Sequence, residues 1–306
     1  MTKDLISIND LTTDEIHGLL DLSAKVEAMP LAERVQMLRG NVLGVMFFEP
    51  STRTRLSFEA AMARLGGSVV GFSETGSTSV VKGESLADTV RTLECYSDVM
   101  VIRHPWEGAA RLAASVSKVP VINAGDGSNQ HPTQTLLDLY TLRKFFGKIG
   151  GLKVAFVGDL KYGRTVHSLV HALMMFGDVQ MTLVSPEALQ LPDYLKIEAA
   201  NRGVVLNETT DLAEAVRSCD AVYMTRIQKE RFADLVEYEK VKNSFCLTAK
   251  ALEEAQEHMK VLHPLPRVTE IASDVDSTRH AGYFEQVRNG VVMRQAILLT
   301  LLGVRP

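Results

Sequence analysis

Cysteine is scarce: Cys95, Cys219 and Cys246 are the only three in 306 residues. They are odd in number, far apart and form no paired motif, so neither a disulfide framework nor a cysteine metal site is expected, only reduced and mostly buried thiols. Excess positive charge is also missing. A formal net charge of -4 argues against nucleic-acid binding as the main business, so any basic site must be local. No apolar run is long enough to cross a bilayer, and the first residues, with Lys3, Asp4, Asn9 and Asp10, lack the apolar region of a signal peptide. The expectation is a soluble, cytoplasmic protein with no membrane contact.

Two further motifs are incomplete. Lys153-Val154-Ala155-Phe156-Val157-Gly158-Asp159 begins like a dinucleotide fingerprint but has a single glycine before Asp159. A pyrophosphate then has no close backbone approach, which disfavours NAD. His167 and His171 have i,i+4 spacing, but no Glu follows His167 and no third ligand is evident. That disfavours zinc and leaves a polar or interface helix face.

What is present is an ordinary globular composition, 46% hydrophobic and 23% charged, long enough for two domains. Thr12-Thr13-Asp14-Glu15 opens a helix with a capping box. Strands are predicted at 42–48, 68–72, 99–103, 119–125, 153–158, 180–184, 204–206, 221–224 and from 261, with helices between most of them and a closing helix over 286–302. The stretch 73–83, rich in Ser, Thr and Gly, reads as a mobile loop, and 229–242 as a charged segment longer than a connector needs. This alternation predicts two doubly wound α/β domains with parallel sheets. The expected division is 1–130, 131–285, and a C-terminal helix over 286–306 that returns to the first domain. Ligands in such sheets bind beyond the carboxyl ends of strands. Arg53, Arg103, His131, Asp159, Arg226 and His263 all fall at or just after predicted strand ends.

The chain is organised around Glu49-Pro50-Ser51-Thr52-Arg53-Thr54-Arg55, at the turn from the first strand into a helix. Free N–H groups and the helix dipole favour an anion at such a start, and forked guanidinium groups match phosphate oxygens. A capped surface helix with an Arg55–Glu59 pair would explain one hydroxyl and Arg55, but not Arg53 and Thr54. His131-Pro132-Thr133-Gln134 sets an imidazole and an amide at another helix start, a candidate donor to a carbonyl oxygen. Thr225-Arg226-Ile227-Gln228 suits a carboxylate, or is a solvated loop.

Ser51-Thr52-Arg53-Thr54-Arg55, Arg103-His104-Pro105, His131–Gln134, Gly158–Arg164, Thr225–Arg231 and His263–Arg267, taken together and in order, resemble the aspartate/ornithine carbamoyltransferase family over nearly the whole chain. The resemblance implies a carbamoyl transfer with no cofactor and no metal. By matching position, Ser51, Thr52, Arg53 and Thr54 hold the phosphate of carbamoyl phosphate, while Thr54, Arg103 and His131 polarise its carbonyl. Gln134 and the backbone carbonyls of Leu265 and Pro266 hold the carbamoyl NH₂. Ser79 and Lys82 enter from a neighbouring subunit of a homotrimer with shared sites. Arg164, Arg226 and Gln228, assisted by Lys82, bind the carboxylates of L-aspartate, and Glu49 and Arg231 bridge the domains on closure. The Thr225–Gln228 segment and His263-Pro264, which has no cysteine to offer, favour aspartate over ornithine. An ornithine-type transferase and a noncatalytic assembly subunit are the alternatives, and association with regulatory chains is open.

Overall fold

A computed structural model of the chain describes residues 3–305 except 75, 77, 228–231, 233, 234, 242 and 243. The chain divides into two units, Met1–Tyr140 with Arg288–Pro306, and Thr141–Val287. The first contains α1 (Thr13–Ala28), α2 (Leu31–Arg34), β1 (Val42–Phe47), α3 (Thr52–Arg64), β2 (Ser68–Phe72), α4 (Leu86–Glu94), β3 (Val99–His104), α5 (Ala109–Val116), β4 (Val121–Asp126) and the start of α6 (Pro132–Phe146). The second contains β5 (Lys153–Val157), α7 (Arg164–Leu173), β6 (Gln180–Val184), α8 (Asp193–Asn201), β7 (Val205–Thr209), α9 (Leu212–Ser218), β8 (Ala221–Met224), α10 (Leu235–Val241) and β9 (Lys260–Leu262). The chain closes with α11 (Tyr283–Leu301), so the two divisions fall within α6 and α11.

Local signals act as written. Thr12 Oγ1 accepts from the Glu15 N–H at 3.2 Å, and Glu15 Oε2 accepts from the Thr12 N–H at 2.9 Å, the reciprocal capping that starts α1. Both sheets are parallel, in the orders β2-β1-β3-β4 and β7-β6-β5-β8-β9. Met46, Met100, Ile102 and Val121 of the first sheet pack with Val90 and Leu93 of α4 and with Ala110 and Ala113 of α5. In the second unit Ala155, Val157, Val222, Met224 and Val261 pack with Ala215 and Val216 of α9. Burial on this scale, at about 25 cal/mol per Å² of apolar surface, is what holds parallel strands with no local pairing of their own.

Sequence patterning misses α2, α5 and α10, helices of four to eight residues, too short to show a helical period. The 73–83 loop contains a 3₁₀ turn, Ser79–Lys82, closed by Gly83 at φ 91°. Of the cysteines only Cys219 is buried. Cys95 ends α4 beyond its apolar positions Val90 and Leu93, and is exposed.

Strand order sets where ligands can be held. In the first sheet the chain moves one way from β1 to β2 and the other way from β3 to β4, so the switch point lies between β1 and β3. In the second it lies between β5 and β8. There Gly158 is required: its φ is 116°, and a Cβ would lie 2.4 Å from the Thr225 carbonyl oxygen. Thr225 Oγ1 donates to Val157 O at 2.9 Å and accepts from Asp159 N–H at 3.0 Å, tying the ends of β5 and β8 together.

After β9 the chain is held by a buried pair. His263 Nδ1 accepts from Leu265 N–H at 2.7 Å, so the proton sits on Nε2, which donates to Glu270 Oε1 at 2.7 Å. Glu270 Oε2 accepts from Val268 and Thr269 N–H at 3.1 and 3.0 Å. Burial pushes the Glu270 carboxyl up, but the His263 and backbone hydrogen bonds outweigh it, leaving the pKa below its ordinary value of 4.5.

Gly158→Ala should cost about 2–3 kcal/mol, from the disfavoured φ and the carbonyl contact; an unchanged urea midpoint would refute the close approach. Because the folded Glu270 pKa is depressed, its contribution is complete above pH 4.5 and is lost as pH falls below it. Urea unfolding of Glu270→Gln should therefore show a shallower acid slope than wild type, by at most about 1.4 kcal/mol per pH unit.

Candidate active site

The start of α3 lacks the features that would close it off. Ser51 occupies the N-cap position but makes no side-chain capping bond, and the first turn has no acidic residue. Its amide groups and dipole are thus left for an anion. Thr54 is buried, whereas Thr52 and Arg53 are exposed. The Arg55–Glu59 pair of the capped-helix alternative forms at 3.3 Å, but the side-chain cap does not.

Parallel pairing brings the second cation to the same point. Phe47 of β1 lies in register with Arg103 of β3, and the Phe48 N–H donates to Arg103 O at 2.8 Å. The Arg103 guanidinium donates to Ala124 O of β4 at 3.3 Å and pairs with Glu49 Oε1 at 2.5 Å. Partial burial and the charge of Arg103 both draw the Arg53 pKa down. Two guanidiniums that disfavour each other's charge, beside an uncapped helix start, form a focused positive field in an acidic chain.

The loops after β3 and β4 are locked by a buried aspartate. Asp126 Oδ2 accepts from Gly108 N–H at 2.9 Å and from Asn129 Nδ2 at 3.1 Å, while Oδ1 accepts from Asn123 Nδ2 at 2.9 Å and Gln130 N–H at 3.1 Å. His104 packs on the Phe48 ring at 4.7 Å, and its Nδ1 accepts from Trp106 N–H at 3.0 Å. Burial lowers its pKa against the raising effect of Glu49 and Asp126, so its imidazole is neutral near pH 7.

His131 is buried at the start of α6 with Nδ1 3.4 Å from Thr133 Oγ1. Gln134 Nε2 donates to Asp138 Oδ1 at 2.9 Å. Beneath them lies Arg294 of α11, buried, donating to Ser57 Oγ and Gly290 O, both at 3.1 Å, and to Thr133 Oγ1 at 3.5 Å. Its guanidinium lies 5.0 Å from the centre of the Phe58 ring. Ser79 and Lys82 are exposed, and among the described residues no hydrogen bond or ion pair joins them to this group.

In the second unit, Arg164 is the first residue of α7, whose N-cap, Gly163, makes no side-chain capping bond. Arg226 lines a cleft of ≈ 290 Å³ with Gly158, Thr225, Tyr238, Thr269 and Glu270. Leu265, at φ 54° with a cis bond to Pro266, is held by the His263 contact described above. Arg267 pairs with Asp276 and donates to Tyr283 OH at 2.9 Å. Gln228 and Arg231 lie outside the described residues. His167 Nε2 lies 2.8 Å from Leu160 O, and His171 Nδ1 lies 3.0 Å from Glu198. Both histidines thus have partners within the chain.

Sequence reasoning passes over Asp126, Asp138 and Arg294. No local signal marks them: a charged residue in a turn or helical pattern reads as solvated, and the fold is what buries these three.

Residues 3–144 match the family model for the aspartate/ornithine carbamoyltransferase carbamoyl-P binding domain, and residues 150–301 match that for the Asp/Orn binding domain. A protein of Thermococcus gammatolerans named aspartate carbamoyltransferase catalytic subunit is 58% identical, over 99% of this chain and 98% of its own length. The so-named protein of Chromobacterium violaceum is 52% identical over 98% of each. Among solved structures, the catalytic subunit of M. jannaschii aspartate transcarbamoylase superposes with a TM-score of 0.92 at 50% identity, over 99% of this chain and 98% of that one. Aspartate transcarbamoylase from Trypanosoma cruzi, solved with N-(phosphonacetyl)-L-aspartic acid, gives 0.90 at 42%, over 96% and 94%. With both units matched in order and over nearly full length, the chain belongs to the aspartate/ornithine carbamoyltransferase family.

Proposed function

We propose that this chain transfers the carbamoyl group of carbamoyl phosphate to the α-amine of L-aspartate, giving N-carbamoyl-L-aspartate and phosphate, a committed step of pyrimidine synthesis. The observation that carries the reading is the uncapped start of α3, which carries Arg53 close enough to Arg103 for the two charges to oppose each other, with Glu49 offsetting only part of that field. The relatives named above, over nearly the full length, support aspartate as the acceptor.

In this reading Ser51, Thr52, Arg53 and Thr54 take the phosphate. Arg103 exchanges Glu49 for phosphate and carbonyl oxygen, with Thr54 and His131 as further donors to that oxygen. Gln134 and the carbonyls of Leu265 and Pro266 hold the NH₂. Arg164, Arg226 and Gln228 take the carboxylates of aspartate. The amine attacks the carbamoyl carbon and negative charge grows on the carbonyl oxygen, where each preformed donor contributes about 10²–10³ in rate. The new N–C bond gives a tetrahedral intermediate, which collapses by breaking the C–O bond to phosphate, and the departing phosphate accepts the amine proton. Glu49 and Arg231 serve closure, which excludes water and aligns the reactants. The protein works in the cytoplasm as a homotrimer, Ser79 and Lys82 serving a neighbouring copy's site. Exposure of Ser79 and Lys82 supports a role outside their own chain.

Product assays with aspartate and ornithine offered separately test the reaction: turnover with aspartate alone is expected, and turnover with ornithine alone would overturn the reading. Arg53→Ala or Arg103→Ala should lower turnover by at least about 10²-fold while the protein remains folded, and near-normal rates in either would remove the site. Arg226→Ala should raise the KM for aspartate at least about tenfold and leave carbamoyl phosphate binding unchanged. Mixing inactive Arg53→Ala and Lys82→Ala chains should restore turnover if sites are shared; silence in a verified mixed oligomer would show that they are not.

A further inference from the structure

Gln134 has a function only if its amide faces the right way. An amide is a donor at one end and an acceptor at the other, and nothing in its shape distinguishes the two. To hold an NH₂ group it must present Oε1; presenting its own NH₂ would set donor against donor.

The structure supplies what selects between these orientations. Gln134 and Asp138 are one turn apart on α6 and so share a face, and Gln134 Nε2 donates to Asp138 Oδ1 at 2.9 Å. An ionised carboxylate only accepts. Turning the amide over would place Oε1 against Oδ1, two acceptors at hydrogen-bond distance. Asp138 is fully buried, and a lone buried carboxylate would take up a proton, become a donor and lose this selectivity. Arg294 opposes that by its charge. It is buried among neutral acceptors, Ser57 Oγ, Gly290 O and Thr133 Oγ1, and burial draws its pKa down to about 10, which the charge of Asp138 opposes. At neutral pH it therefore stays charged and favours the ionised aspartate. The same guanidinium touches α3 through Ser57 and reaches the His131 end of α6 through Thr133.

We propose that Asp138 is a positioning and specificity-determining residue: its hydrogen bond locks the Gln134 amide with its oxygen outward, so that the site prefers an acyl phosphate bearing NH₂ to one bearing a methyl group. This rests on the carbamoyl phosphate reading above and names what selects the carbamoyl group within it. Acetyl phosphate is the natural probe, since it keeps the phosphate and carbonyl and replaces NH₂ with CH₃.

The test is binding of carbamoyl phosphate, acetyl phosphate and inorganic phosphate to the full chain, as wild type, as Asp138→Asn, and as Asp138→Asn with Arg294→Met. The double variant removes both buried charges, so neither is left buried without the other. In either variant the Kd for carbamoyl phosphate should rise about tenfold while those for the other two stay within about twofold. Equal weakening for all three ligands would reduce Asp138 to a structural role and overturn the proposal, as would an unchanged preference in a folded variant. A wild type that binds acetyl phosphate as well as carbamoyl phosphate would refute the amide lock while leaving the phosphate cradle standing. One that binds none of the three would remove the parent reading and this one with it.

Discussion

The alignment of β1 with β3 is the constraint on which the first unit's site depends. Parallel pairing sets Phe47 beside Arg103, and the chain leaving β1 turns at once into α3, so a helix start and a strand-end guanidinium meet at one point. Cations brought together in this way repel, and repulsion held by a rigid scaffold is a standing preference for an anion. The scaffold is rigid because both strands are buried, their backbone groups paired on each side and one apolar face covered by α4 and α5. Glu49 occupies part of that field, 2.5 Å from Arg103. A dianion offers more acceptor atoms and more charge than one carboxylate, which is the physical basis for exchange.

The second unit uses the same architecture for a different charge problem. Its switch point lies between β5 and β8, and the Thr225 hydroxyl and Gly158 bring those strand ends together without a long side chain between them. That leaves Arg226 at the rim of a small cleft, suited to a carboxylate more than to a bulky ligand. The turn after β9 is shaped from behind, by a buried imidazole whose tautomer is set by a backbone N–H and a carboxylate.

Charged groups buried behind the site do more than those at its surface to define it. Asp126 joins two loops, and Arg294 with Asp138 joins α3, α6 and α11 within the first unit. Such groups are costly to bury and repay that cost only where every donor and acceptor is directed. They turn flexible polar side chains into donors and acceptors of one sense, and catalysis of acyl transfer needs that direction more than it needs strength.

Sequence alone determined the class of fold and named the residues of a candidate site. Strand and helix periods are local properties, so alternating βα units, the capping box at Thr12 and the placement of Arg53, Arg103, His131 and Arg226 at strand ends could be read directly. Tertiary structure decided which strand ends are neighbours, because parallel pairing is non-local and the orders β2-β1-β3-β4 and β7-β6-β5-β8-β9 are not written in any one segment. It alone showed that Ser51 stands at a helix start without capping it, and that Arg294, more than 150 residues from Thr133 and more than 230 from Ser57, lies against both. A charged residue in a helical pattern reads as a solvated face until the fold buries it, since burial depends on what packs above it and not on its own neighbours in the chain.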